Sequence, residues 1–481
     1  MRSRLRGIAS REQRATLLAR ALPRRSDWVL LALIVAAIVV GTVLRVHAIG
    51  GNNRVSVDEG GYVANANQIL RDHPIATFKW APGTSLMFAA AAILRGVSHI
   101  SLSTHSHGVA QYSQLLVEIV TLALVAILAW ILAGPWAALI AVALMATYQP
   151  LIDITRTYLS EPLGALALLS MVVSICWARK RELHTLVVAG LIAGLAGLVR
   201  EDYAVAVAAI MLGMLASGFP SRRAALGRAL VYGLTALAVV TPFVIYASLR
   251  THRFTPIVDA GPHALFLGTY LPGGGNQFID LQVTAKQVCD YFNKRRPDAA
   301  RRAALSLPKD WCHIPPGDAQ GLFAMIQAQH PGESNQQAAQ DAALHNLDHY
   351  MLGRPLSFAH MQIKKAWNMW SYPWSGGNSV GGGGLSRTTS LLQHQIYSAI
   401  AWFGIVLGLV LLRRRWAYIV PVLALLAIAW LNTFFAITPR DNVRLMPFVF
   451  VYGAVGLATA GAALAALAAR RKPTRRSAEP A

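Results

Sequence analysis

Apolar runs of about 17 to 25 residues recur along the chain, separated by short polar or basic connections. They cover roughly 28–48, 113–133, 136–152, 162–178, 184–199, 203–218, 229–248, 395–412, 416–436 and 445–469. A helix needs about 20 such residues to cross the ~30 Å hydrocarbon core of a bilayer. The pattern predicts an all-α polytopic membrane protein with about ten transmembrane helices. A further apolar stretch, 82–96, is read as a short helix lying at the membrane surface. Taking it as a span would reverse everything after it and put four basic clusters on the outer side. Gly190, Gly194 and Gly197 place small residues on one run, the spacing that lets two membrane helices approach closely.

Orientation follows from where the basic residues lie, because cytoplasmic connections carry the excess of Lys and Arg. The first 27 residues hold eight Arg and no long apolar run, which predicts an uncleaved signal anchor with its N-terminus in the cytoplasm. The connections then expected inside contain Arg179-Lys180-Arg181, Arg222-Arg223 with Arg228, and Arg413-Arg414-Arg415; the tail contains Arg470-Arg471-Lys472 with Arg475-Arg476. Both termini are therefore expected in the cytoplasm of a bacterial-type plasma (inner) membrane. The expected organisation is a basic N-terminus (1–27), an N-terminal membrane module with a first outer loop at 49–112 (28–248), one long extracytoplasmic loop (249–394), C-terminal membrane helices (395–469) and a basic tail (470–481). Gly-rich stretches at 271–276 and 375–384 interrupt the long loop, and a helical pattern runs from about Ser334 to Trp370.

Composition agrees with a membrane protein: 55% of the 481 residues are hydrophobic and 14% charged, against about 25% charged in soluble domains. The formal charge of +22 does not indicate nucleic-acid binding, since the arginines sit in clusters between apolar runs, where they meet anionic lipid headgroups. Cys176 lies within an apolar run and reads as packing. Cys289 and Cys312 share the long loop, where an outer location permits a disulfide between them.

Candidate chemistry gathers at the ends of the spans expected outside. The stretch VDEGGYVANANQILRD puts Asp58 and Glu59 about ten residues past the first span. Asp153, Arg156 and Glu161 flank the connection 153–161; Arg200, Glu201 and Asp202 join the fifth and sixth spans; Arg440, Asp441 and Arg444 join the last two. A transporter more often holds its ionisable residues near the bilayer midplane, whereas clustering at one surface suits an enzyme. Each residue also has a plainer reading. Asp58 suits a helix N-cap, Glu161 before Pro162 suits a helix start, and Arg200 and Arg444 suit snorkelling to headgroups. Glu118, one turn inside the second span, must face protein or a wet cavity. His345 and His349, four apart, have metal-ligand spacing but lack an HExxH pattern.

These residues resemble the GT-C membrane glycosyltransferases, in particular the protein mannosyltransferases and the lipid A aminoarabinose transferases. The resemblance rests on Asp58-Glu59-Gly60-Gly61-Tyr62, Phe78-Lys79-Trp80-Ala81-Pro82-Gly83, Glu161-Pro162, Leu198-Val199-Arg200-Glu201, Arg444-Leu445-Met446-Pro447-Phe448, and the segment from Gly353-Arg354-Pro355 to Trp370. The chain departs in having fewer spans, no separate C-terminal outer domain, and Trp-Ala between Lys79 and Pro82. The resemblance implies a GT-C-like bundle with extracytoplasmic surface helices. It also implies transfer of a monosaccharide from a polyprenyl-phosphate donor to a hydroxyl of a lipid, glycan or protein acceptor on the extracytoplasmic face, with inversion. Asp58 would be the base, supported by Glu59. Arg200, Arg440, Arg444 and Lys79 would bind the donor phosphate. Glu161 and Tyr62 would support the site or help Asp58 hold a divalent cation, Mg or Mn. The alternatives are a transporter or flippase for a lipid-linked sugar, or a membrane scaffold that uses its long outer loop.

Overall fold

The computed structural model describes residues 25–49, 57–75, 77–102, 108–178, 183–217, 221–275, 320–374, 387–412, 416–435 and 440–471. Cys289 and Cys312 lie outside these residues. The described secondary structure is helical throughout. Among the described residues, seven helices are long and apolar enough to cross a bilayer: α1 (Arg25–Ile49), α4 (Val109–Ala133), α7 (Glu161–Ala178), α10 (Arg222–Thr251), α15 (Arg387–Leu411), α16 (Trp416–Phe434) and α18 (Met446–Arg471). They share the bundle with shorter apolar helices α3 (Pro82–Leu94), α5 (Pro135–Thr147), α8 (Leu183–Val199) and α9 (Tyr203–Ser217). The remaining helices are α2 (Val57–Leu70), α6 (Gln149–Ile154), α11 (Gly261–Thr269), α12 (Gln320–Gln329), α13 (Asn335–Asn346), α14 (Pro355–Ser371) and the single turn α17 (Arg440–Val443).

The run expected as one span over 136–152 divides at Tyr148, whose extended backbone (φ −73°, ψ 111°) separates α5 from α6. Pro150, in the first turn of α6, explains the break: in a continuous helix it would have no N–H to give the Ala146 carbonyl and its ring would clash with that carbonyl. Tyr148 is then held by a 2.5 Å hydrogen bond between its hydroxyl and His394 Nδ1 of α15. The 82–96 stretch forms the 13-residue α3, about 20 Å long at 1.5 Å per residue, short of a full crossing.

One core runs through α1, α4, α5, α7, α8, α9, α15, α16 and α18, filled with Ala, Val, Leu, Ile and Met. The outward faces of α1 and α10 stay apolar, with Val29, Val43, Leu234 and Leu249 exposed; lipid covers such faces in a membrane helix. Close helix contact rests on glycine. A Cβ at Gly190 or Gly194 would fall 2.7 Å from Tyr232 O and 2.6 Å from Ala236 O, so α8 and α10 meet at backbone distance. Gly404, Gly453 and Gly456 do the same between α15 and α18, where an added Cβ would meet backbone of the facing helix.

Glu118 faces neither lipid nor an open path. It forms an ion pair with Arg45 of α1 at 3.2 Å, and both side chains are fully buried. Arg45 also donates to the carbonyls of Gly41, Ala146 and Met145, which joins α1 to the end of α5. Removing one partner of a buried pair leaves an uncompensated charge, at a cost of about 3–5 kcal/mol, whereas replacing both with apolar groups is often neutral. Arg45→Met and Glu118→Leu singly are therefore expected to lower the thermal unfolding temperature in detergent by several degrees, with most of the loss recovered in the double variant.

Candidate active site

Four connections expected on the outer side meet at one end of the bundle. Asp58 lies in the first turn of α2, Glu161 opens α7, Arg200 and Asp202 lie between α8 and α9, and Arg440, Asp441 and Arg444 precede α18. Their side chains form a chain of alternating charge. Arg440 Nη2 is 2.8 Å from Asp58 Oδ2, and Arg440 Nε is 3.0 Å from Glu161 Oε1. The second contact lies off the hydrogen-bond axis, so its attraction is Coulombic. Arg200 Nη1 sits 3.8 Å from the same Glu161 oxygen and donates to Ser160 Oγ at 3.2 Å. Arg200 Nε then reaches Asp202 at 3.5 Å. Arg444 Nη1 donates to Asp202 Oδ1 at 3.0 Å, with Nη2 2.6 Å from Oδ2. Asp441 lies 4.0 Å from Arg200 and 3.9 Å from Arg444.

Local sequence explains how Asp58 is presented. The second glycine of Asp58-Glu59-Gly60-Gly61-Tyr62 makes room for an indole: a Cβ at Gly61 would fall 2.1 Å from the Trp80 ring. Trp80 therefore lies against α2, and its Nε1 donates to Asp58 Oδ1 at 3.1 Å. Tyr62 packs beside it, ring centroids 6.0 Å apart. Lys79 is exposed, its ammonium 5.1 Å from the Trp80 ring centroid. Glu59 points elsewhere; it is buried and accepts the backbone N–H of Tyr158 at 2.9 Å, which ties the 153–161 connection to α2. Asp153 and Arg156 pair with each other at 3.8 Å within that connection.

The electrostatics follow from these partners. Burial pushes the Asp58 carboxyl up, but Arg440, the Trp80 N–H and Lys79 outweigh it and hold Asp58 below the usual carboxylate range. Burial acts against Asp202 too; Arg444 and Arg200 bring it down to about 2. Burial disfavours the charge on Arg440, yet Glu161, Asp58 and Asp441 keep it protonated more firmly than a free guanidinium. Burial and the Glu161 carboxylate raise the Tyr62 phenol, so it stays a neutral hydroxyl.

Asp58 and Glu161 are oxygen donors of the type that Mg or Mn takes, and in kind they are compatible with a divalent cation. As they stand, the Arg440 guanidinium fills the gap between them. Among the described residues, the three ligand-type side chains close enough to share one ion are His330, Glu333 and Asp341, near α12 and α13; His345 and His349 stack face to face.

Three positions in or around this end carry weight to which the sequence assigned no role. Trp80 does so through Asp58. Asn442 Nδ2 donates to the carbonyls of Met369 and Tyr372, fastening α17 to the end of α14. Lys365 of α14 is buried and donates to Gly268 O at 2.7 Å, to Phe435 O at 3.0 Å and to Thr433 O; burial brings its pKa down to about 7. A Lys two-thirds along an amphipathic helix looks like a solvent-facing residue until α16 and α11 close over it.

The same arrangement of helices occurs in solved structures. The archaeal oligosaccharyltransferase AglB from Archaeoglobus fulgidus, in complex with an inhibitory peptide and a dolichol-phosphate, matches 92% of this chain with a TM-score of 0.51 and 15% identity. The chain has the GT-C fold. It spans about half of AglB, 52% of that chain. AglB tethered with an acceptor peptide containing the NVT sequon gives a TM-score of 0.50 at 16% identity, over 93% of this chain and 51% of that one. ArnT from Cupriavidus metallidurans bound to undecaprenyl phosphate aligns with 93% of this chain and 81% of its own at 15% identity; its TM-score of 0.38 is too low to bear on geometry here. No protein-family model matches the chain, and no curated protein does. Within the GT-C fold, the paired acids and arginines occupy the end of the bundle where α2 and α3 pack.

Asp202, at about 2 when folded against about 3.9 when unfolded, contributes stability that is complete above roughly pH 4 and lost as pH falls toward 2, on the order of 2 kcal/mol. Asp202→Asn is expected to lower the unfolding temperature at neutral pH. Its difference from wild type should shrink as the pH is taken below about 4, which thermal unfolding in detergent across that range would check.

Proposed function

We propose that this protein is a membrane glycosyltransferase that moves a monosaccharide from a polyprenyl-phosphate donor to an acceptor hydroxyl on the extracytoplasmic face, with inversion at the anomeric carbon. The observation that carries this reading is the joining of carboxylates and guanidiniums from four connections at one end of a GT-C bundle. A lipid-linked donor keeps its tail in the bilayer and its phosphate at headgroup level, beside that end. AglB was solved with a dolichol-phosphate, a lipid of the same chemical kind as the polyprenyl phosphate released in this reading.

Asp58 is the base in this reading. It is ionised at neutral pH, and Arg440 and the Trp80 N–H fix its orientation. The acceptor hydroxyl gives its proton to Asp58 while its oxygen attacks C1 of the sugar; the C1–O bond to phosphate breaks and polyprenyl phosphate leaves with the bonding pair. Positive charge near the leaving phosphate stabilises the transition state more than the ground state, because the phosphate gains charge as the bond breaks. Lys79 is exposed and Arg200 and Arg440 are partly so, and these three reach the phosphate; Arg444, buried on Asp202, orients the Asp202 carboxylate that faces Arg200. Glu59 supports the site through Tyr158, and Glu161 through Arg440 and Arg200. Glu118, whose position in a span suggests a polar path for a flippase, is paired within the bundle.

Purified protein given a polyprenyl-phosphate sugar and an acceptor is expected to release polyprenyl phosphate. Asp58→Asn should lower that rate about 10²–10⁴-fold, the usual contribution of a general base, in a protein that still inserts and folds. Near-normal turnover by this variant would remove Asp58 as the base, and movement of intact donor between leaflets without release would replace transfer with transport.

A further inference from the structure

We propose that the Arg440 guanidinium is the resident cation of this site, standing between Asp58 and Glu161 where a paired-carboxylate site would otherwise take a divalent ion, so that the protein works without bound metal. This rests on the glycosyl-transfer reading for its catalytic meaning, but its geometry stands apart from that reading.

The first argument is occupancy. Nη2 and Nε of one guanidinium contact one oxygen of each carboxylate, at 2.8 Å and 3.0 Å. Mg takes oxygen ligands at about 2.0–2.1 Å in near-octahedral geometry. Such an ion needs the gap that the guanidinium fills, so the two are mutually exclusive.

Charge balance is the second. The described cluster holds four carboxylates (Asp58, Glu161, Asp202, Asp441) and three guanidiniums (Arg200, Arg440, Arg444). Four negative and three positive charges leave −1, too little to draw a dication strongly. Without Arg440 the balance becomes −2, which a dication would neutralise. Glu161 Oε2, on a side chain that is 1% exposed, then offers an oxygen that has no hydrogen-bond partner.

Third, Arg440 is built in. It opens α17, whose Asn442 is bonded to the carbonyls of Met369 and Tyr372 at the end of α14 and whose following residue, Arg444, is bonded to Asp202. A turn held from two sides keeps the guanidinium between its carboxylates. The Arg440 side chain is 26% exposed, so part of it stays open to an anionic ligand while Nη2 and Nε hold Asp58 and Glu161.

The test is a Mn titration of the purified full-length protein in detergent, read by the loss of the free-ion EPR signal, alongside transfer assays with and without chelator. Transfer by the wild type should be unchanged by EDTA, and any Mn uptake it shows should be the same in Asp58→Asn. Arg440→Met should lose transfer by about 10²-fold or more, the scale of removing one preorganised donor. It should also gain stoichiometric Mn uptake that Arg440→Met with Asp58→Asn lacks. Arg440→Lys, which keeps the charge, should show no such gain. Wild-type Mn uptake that Asp58→Asn abolishes, or transfer that EDTA abolishes, would overturn the proposal. Absence of transfer with every donor would overturn the functional reading instead, and the Mn titration of the wild type would still decide the cation.

Discussion

The Arg440 guanidinium, wedged between Asp58 and Glu161, joins the two halves of the molecule. Asp58 belongs to the first connection of the N-terminal module and Arg440 to the last connection before the final helix, 382 positions later by their numbers. Glu161 adds the start of α7, and through Arg200 and Asp202 the chain of charges reaches Arg444. Each carboxylate faces at least one guanidinium, so none is buried alone. Charge carried into a partly buried site is tolerated on that condition.

That constraint also shapes the surroundings. Glu59, adjacent to Asp58, turns into the protein to bind the Tyr158 N–H, which carries the connection ahead of Glu161 toward α2. Gly61 lets Trp80 lie against α2 and reach Asp58. On the opposite flank, α14 is fastened on both sides of the connection that carries Arg440: Lys365 binds carbonyls at the end of α16, and Asn442 binds carbonyls at the end of α14. The site is thus held by backbone carbonyls and N–H groups as much as by charge. Partly exposed ion pairs need such support, since water would otherwise compete for every one of them.

Two kinds of buried charge appear in this protein and they serve different ends. Arg45 and Glu118, fully enclosed in the bundle, join α1 to α4 and α5 and have no open edge. The Asp58–Arg440–Glu161 group keeps partial exposure on Asp58 and Arg440, 24% and 26%. The difference separates a helix lock from a group of charges with an edge open to its surroundings.

Much of this was legible in the chain itself. Apolar runs of membrane length determined an all-helical bundle, and their separation by short charged connections placed Asp58, Glu161, Arg200, Asp202, Arg440 and Arg444 at span ends, because a charge is costly in hydrocarbon and migrates to the boundary. Small-residue spacing at Gly190 and Gly194 marked a close helix contact for the same local reason. Pairing was decided only by the tertiary structure. No spacing rule relates Asp58 to Arg440, Glu118 to Arg45, or Lys365 to Gly268, since such partners are chosen by how helices pack in three dimensions. The indole of Trp80 and the guanidinium of Arg440 acquire their roles from the distance to Asp58, a quantity that exists only once the chain has folded.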